Sequence, residues 1–286
     1  MLEHDLSYFQ STAREKDRIN SNEIEAVIDC LNLTSQDILQ GQKFKLNKSQ
    51  SLGASDSAHD VFFLQTQPNS NNIKPIIVAC KRFRRSENAE KEVINIKKIN
   101  RKGFKTFQFF NKGLYEIDGI GTILTTRLIP QFITMNHLPW RDYFLGQKEF
   151  VDRTQKPLEN ISQFISSMHS QGITHGDLQL KNIGKDQTNQ FIVFDVENSI
   201  ITDESKINSA IFVDYVGEDI KTFLKSLVDK GFLFDSTDAI FLSAIEDYFL
   251  TPYLENLKIN NESILNLISQ AIDDSLEDRI IRNHKN

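Results

Sequence analysis

The sequence predicts an α+β protein of two lobes, a small antiparallel sheet followed by a mostly helical part. Alternating apolar runs crowd between residues 44 and 128, and 3.6-residue apolar periodicity takes over after Pro130. A single helix-patterned stretch, residues 86–99, interrupts the strands. The acids and amides that could do chemistry gather in the helical half, between His175 and Glu197. On this reading residues 1–43 form a helical N-terminal extension, 44–129 the sheet lobe and 130–286 the helical lobe.

Taken in order, Ile24, Val27, Ile28 and Leu31 recur at helical spacing, with Asn22 as the expected cap. Strands are expected at Phe44–Leu46, Val61–Leu64 and Pro75–Phe83, the first two separated by a serine-rich turn with one glycine, Gly53. Ala89, Val93 and Ile96 give the next helix its apolar stripe, and Ser86 is placed to cap it. Phe107–Tyr115 and Gly121–Leu128 complete the strands. Past Pro130, Leu158, Ile161, Phe164, Ile165 and Met168 share one helical face that ends at Gly172. A short strand at 190–195 precedes helices near 217–229, 238–250 and 262–282.

Composition narrows the function classes. With 286 residues, 39% of them hydrophobic and 25% charged, the chain can bury a sizeable core. A net charge of −6 argues against bulk electrostatic binding of nucleic acid, so the basic runs Lys81–Arg85 and Lys97–Lys102 read as solvated surface. No apolar run is long enough to span a bilayer, and the N-terminus lacks the basic and apolar regions of a leader. Two cysteines, Cys30 and Cys80, read as free thiols, Cys80 buried in an apolar strand. A reducing cytosol is the expected location.

The informative segment is His175-Gly176-Asp177-Leu178-Gln179-Leu180-Lys181-Asn182, followed after an apolar strand by Asp195-Val196-Glu197. Phosphoryl transfer needs a carboxylate to orient and deprotonate the attacking hydroxyl, and oxygen ligands for Mg²⁺. Asp177 suits the first task; Asn182 and Asp195 suit the second. Upstream stand a strand lysine, Lys81, and helix glutamates at 87, 90 and 92. Glu92 shares the face of Ala89 and Ile96 and is the expected partner of Lys81. Taken singly, Asp177 could be a turn residue, Asp195 a strand end and Lys81 a surface lysine; their joint order is what argues for chemistry.

This set resembles the kinase-like superfamily, in which protein kinases carry His-Arg-Asp and a later Asn. Glycine at 176 and the Asp195-Val196-Glu197 segment are similar to aminoglycoside phosphotransferases, lipopolysaccharide kinases and related atypical kinases such as the RIO type. The resemblance covers roughly residues 44–230 and implies ATP and Mg²⁺ as cofactors. It makes Val78-Ala79-Cys80-Lys81 the phosphate-holding strand, with Ala79 and Lys81 at the nucleotide. Gly53, Ser55 and Ser57 would take the place of the glycine-rich loop, and Ser51, Ser55 and Ser57 are candidate self-phosphorylation sites. Residues 124–130 would form the hinge, with the backbone of Thr126, Arg127 and Leu128 on the adenine. Lys181 would steady the γ-phosphate, and a solvated lysine is the alternative. Asp219 would prop the catalytic loop, although a helix-start acid explains it nearly as well, and His175 packs to hold that loop. Trp140 reads as a packed aromatic or a cleft residue.

The acceptor is left open. Only twenty-three residues separate Asp195 from Asp219 and no Ala-Pro-Glu occurs, which argues against a long regulatory activation segment. The expectation is transfer to a Ser/Thr hydroxyl of a protein, this chain included. Small-molecule phosphorylation of the aminoglycoside or sugar type is the first alternative. A nucleotide-binding pseudokinase acting as a partner-binding module is the second, motivated by the sparse glycine loop.

Overall fold

The computed structural model describes residues 19–46, 58–67, 75–83, 85–129, 133–138, 140, 157–229, 245–259 and 264–267. The chain divides into two compact units, one of residues 1–97 and 106–132, the other of 98–105 and 133–286.

In the first unit, α1 (Ser21–Thr34) and the single turn α2 (Gln36–Leu39) precede a sheet of β1 (Lys43–Leu46), β2 (Ala58–Gln67), β3 (Ile77–Phe83), β4 (Phe109–Ile117) and β5 (Gly121–Arg127). Its strands run in the order β1-β2-β3-β5-β4, each antiparallel to its neighbour. Asn20, not Asn22, caps α1: its side chain accepts from the Glu23 N–H at 3.0 Å while the Glu23 carboxylate accepts from the Asn20 N–H at 2.8 Å. Asn22 also has a glutamate three residues on, Glu25, but the helix already starts at Ser21, so Asn22 lies inside its first turn and the reciprocal bonds form at Asn20.

Burial explains why α1 belongs here. Val27 and Leu31 pack with Leu39, Phe44, Phe62, Leu64 and Phe110 in one apolar cluster, in which Phe44 meets Phe110 edge-on at 5.3 Å. β4 breaks register with β5 between Phe109 and Leu114, where Asn111 and Gly113 take positive φ. The bulge turns the Asn111 amide onto the end of α1, donating to Thr34 O at 2.9 Å and Ser35 Oγ at 3.0 Å. Between β3 and β4 runs α3 (Ser86–Arg101). It begins at Ser86 itself, which places Arg85 rather than Ser86 at the cap position. Cys30 and Cys80 are free thiols; Cys80 is fully buried, which pushes its pKa far up and leaves it inert.

The second unit is mainly helical. α4 (Pro157–Ser170) ends at Gly172, whose φ of 75° and close approach to Thr202 O suit only glycine. β6 (Ile133–Thr134), β8 (Ile183–Lys185) and β9 (Phe191–Val193) form a small antiparallel sheet, and β7 (Ile173–Thr174) pairs with β10 (Ile200–Ile201). α5 spans Ala210–Asp229, seven residues longer at its start than the sequence pattern suggests. Ser209 accepts from the Phe212 N–H, and Gly217 lies inside the helix against Leu267 instead of opening it. A π-helical turn, Glu246–Leu250, leads directly into α6 (Thr251–Asn256). This helix therefore runs past residue 250, because Pro252 falls in the first turn of α6, where a missing N–H is harmless. Of the helices expected at 238–250 and 262–282, residues 230–244, 260–263 and 268–282 lie outside the described residues. No helix among the described residues is long and apolar enough to cross a membrane. The architecture is α+β, one unit built on a small antiparallel sheet and the other mostly helical.

Candidate active site

In the first unit β3 and α3 bring Lys81 and Glu92 together. The Lys81 ammonium donates to Glu92 Oε2 at 2.8 Å, with both side chains largely removed from water. Lys81 lies centrally in β3, opposite Val61 on one side and Leu124 on the other, so its backbone is fixed by two neighbours. Its ammonium also sits 4.8 Å from the Phe83 ring centroid. Neighbouring Arg82 is occupied elsewhere, donating to Ile120 O at 3.0 Å and standing 3.5 Å from Glu23. Ala79, one turn of the pleat before Lys81, pairs with Thr126. The N–H groups of Arg127 and Leu128 are both used within this unit, donating to Gln108 O at 2.7 Å and Ile77 O at 3.0 Å. An adenine edge seeking an N–H donor would have to find it at another residue. Gly53, Ser55 and Ser57, with Ser51, lie outside the described residues.

In the second unit the chain from His175 to Asn182 folds back on itself. Asp177 Oδ1 accepts from the Gln179 side-chain amide at 2.6 Å, and Oδ2 accepts from the Asn182 amide at 3.0 Å. Asn182 Nδ2 also donates to Asp177 O at 2.9 Å. The carboxylate plane is thus set by two amides, five residues of loop being tied across their ends. Because Asn182 commits its N–H₂ group to Asp177, its amide oxygen is the atom left for a cation. β9 closes behind it, with the Phe194 N–H donating to Asn182 O at 3.2 Å. Asp195 follows in the left-handed region, φ 62°, a conformation tolerated best by Asn, Asp and Gly. A carboxylate oxygen of Asp195 lies within 4.8 Å of one from Glu197, on the 3₁₀ turn Val196–Asn198. The donor set of two carboxylates and an amide oxygen is all hard oxygen, which suits Mg²⁺. Lys181 sits in the intervening 3₁₀ turn, partly exposed, and engages no partner among the described residues.

Tertiary bonds hold this loop from below. Asp219, buried in the middle of α5, accepts from the His175 N–H at 2.5 Å and from the Gly176 N–H at 2.8 Å. The helix-start explanation of Asp219 fails, since α5 begins nine residues earlier. His175 is fully buried; its Nε2 bonds to Phe194 O at 2.9 Å and its carbonyl accepts from Ser199 Oγ at 3.0 Å. Gly176 has φ 80°, and a Cβ there would strike the backbone of Asn198. That contact is why glycine stands between His175 and Asp177. Trp140 is buried, its indole N–H donating to Met135 O at 2.7 Å, so it is a packed aromatic.

Three residues without a local signature also belong to the site and its support. Gln179 grips Asp177 directly. His169 and Tyr253 join Asp219 in a buried chain, Tyr253 OH to His169 Nδ1 at 2.7 Å and His169 Nε2 to Asp219 Oδ2 at 3.3 Å. Their partners lie 84 and 50 residues away, so no local pattern marks them.

Residues 81–207 match the lipopolysaccharide kinase (Kdo/WaaP) family. One solved structure that is similar, described as WaaP in complex with acyl carrier protein, shares 14% identity. The likeness covers 86% of this chain and 96% of that one at a TM-score of 0.48. No curated protein matches the chain. The protein is a kinase-like enzyme of the atypical type, a phosphotransferase acting on an alcohol group.

Proposed function

We propose that the chain transfers the γ-phosphate of ATP to a hydroxyl of a sugar, with Asp177 as the base that takes the hydroxyl proton. The observation that carries the reading is the double amide grip on Asp177, which aims one carboxylate while leaving the Asn182 oxygen for a cation. The match of residues 81–207 to lipopolysaccharide kinases supports a sugar acceptor over the Ser/Thr protein acceptor favoured by sequence reasoning. The short connection from Asp195 to α5 agrees, since it holds only 3₁₀ turns and the two-residue β10.

Roles follow for the other residues. Lys81, held by Glu92, is the cation for the α- and β-phosphates. Asn182 and Asp195 would hold Mg²⁺, with Glu197 close enough to Asp195 to join them; the ion would neutralise charge on the phosphates. Lys181 is on the same short turn as Asn182 and would meet the transferred phosphoryl group. Gly53, Ser55 and Ser57 would cover the nucleotide, and Ala79 with Thr126, Arg127 and Leu128 would line it.

The test is transfer from γ-labelled ATP with Mg²⁺ to three acceptor pools, namely a lipopolysaccharide core oligosaccharide, an aminoglycoside and total protein. Label should appear in the oligosaccharide and fall by roughly 10²–10⁴-fold in Asp177→Asn, with an unchanged folded-state spectrum. Label in protein alone, lost in the same variant, would return the protein acceptor.

A further inference from the structure

We propose that Tyr253 is a positioning residue for Asp177, acting through the ring of His169 on the carboxylate of Asp219. The proposal rests on the reading of Asp177 as the base. Asp219 accepts from two loop amides, at His175 and Gly176, immediately before Asp177. A third donor must come from His169 Nε2, because a carboxylate offers only lone pairs. That requirement puts the imidazole proton on Nε2 and leaves Nδ1 as a lone pair in a fully buried place. The Tyr253 hydroxyl, 2.7 Å away, donates to it. Burial, and then the charge of Asp219, push the phenol pKa well above its ordinary value, so the hydroxyl keeps its proton.

Without that hydroxyl the buried Nδ1 lone pair loses its donor, and the ring keeps only one of the two bonds that aim its Nε2–H at Asp219. A ring free to turn would draw its Nε2–H away from the Asp219 oxygen that also holds the His175 N–H. Tyr253 is itself seated firmly. Ser162, Ser166 and Ser170, four residues apart on α4, donate to Phe249 O at 2.5 Å, Tyr253 O at 2.7 Å and Asn256 O at 3.3 Å. The phenol ring stacks on Phe249 at 5.9 Å, so Phe at 253 keeps the packing and removes only the hydroxyl.

The experiment is a double-mutant cycle of Tyr253→Phe and His169→Gln, with kcat, KM for ATP and thermal midpoint measured for each protein. Gln at 169 can donate to Asp219 and has no second ring nitrogen for Tyr253 to hold. Tyr253→Phe should lower kcat by about three- to ten-fold, the weight of one buried hydrogen bond, with KM for ATP changed less than about two-fold. In the His169→Gln background the same change should have no effect on kcat. A Tyr253 effect of equal size in both backgrounds, or a lower midpoint with unchanged kcat, would overturn the proposal. Imidazole ¹⁵N shifts of His169 supply a readout independent of turnover and of how well His169→Gln folds. The wild type should show protonated Nε2 and a bare, hydrogen-bonded Nδ1, and Tyr253→Phe an Nδ1 moved to the unbonded range; a wild-type ring protonated at Nδ1 alone, or an Nδ1 shift unchanged by Tyr253→Phe, would sink the idea. If wild type transfers phosphate to no acceptor, the reading of Asp177 fails, and the ¹⁵N result still decides the role of Tyr253.

Discussion

Gly176 shows how one residue ties fold to chemistry. Its positive φ lets the chain turn between His175, which is bonded inward, and Asp177, which is gripped by amides. A side chain there would be strained by the backbone and would strike the carbonyl of Asn198. Gly176→Ala should therefore cost about 1–3 kcal/mol in denaturant unfolding and lower kcat as well, since Asp177 follows directly. An alanine variant as stable as wild type would show that the loop relaxes freely. Asp186 provides a second test at this scale. Its carboxylate accepts from the Thr188 hydroxyl at 2.6 Å, the Thr188 and Gln190 N–H groups, and the Lys105 ammonium at 3.0 Å. The Thr188 hydroxyl foremost, with Lys105 and the N–H groups adding, holds its pKa well below the usual carboxylate range. A depressed folded value means the stabilisation is complete above the unfolded pKa near about 4 and fades as pH falls below it. The gap in urea midpoint between wild type and Asp186→Ala should be open at neutral pH and close in acid. A gap that is constant with pH would assign the effect to packing.

Among elements, α4 carries more than its apolar face. That face was legible from Leu158, Ile161, Ile165 and Met168, all buried. Its serines were not, because serine at a spacing of four looks like ordinary solvent-facing polarity until the partner is known. In the fold they meet the carbonyls of the π-helical turn and α6. Ser162→Ala and Ser166→Ala should each cost about 1–3 kcal/mol in unfolding free energy, because each removes a buried hydroxyl–carbonyl hydrogen bond. Values within a few tenths would mean that the carbonyls find other donors. α5 illustrates a miss of a different kind. Gly217 read as a boundary, yet the helix runs through it, since the absent side chain makes room for Leu267.

For the molecule as a whole, the N-terminal segment departs most clearly from expectation, being part of the sheet unit and not a separate extension. α1 lends Val27 and Leu31 to the same core as Phe44, Phe62 and Phe110 of the sheet. Leu31→Ala should lower unfolding free energy by about 2–5 kcal/mol, and removing residues 1–40 should leave the sheet unit insoluble. A soluble, cooperatively folding truncated chain would show that the sheet closes its core without α1.

What the sequence by itself determined about this protein lies within short windows. The alternation of β3, the apolar stripes of α3 and α4, the pairing of Lys81 with Glu92 through their face, and the order of Asp177, Asn182 and Asp195 depend on neighbours a few residues apart. Such windows report backbone period and local chemistry directly. Only the tertiary structure decided which distant groups meet: Asp219 under the amides of His175 and Gly176, Tyr253 on His169, and the end of α1 on the Asn111 bulge. These bonds span from 43 to 84 residues. A lone Asp, His or Tyr carries no mark of the partner that burial will force it to find, because that demand arises only once the chain has closed around it and water has left.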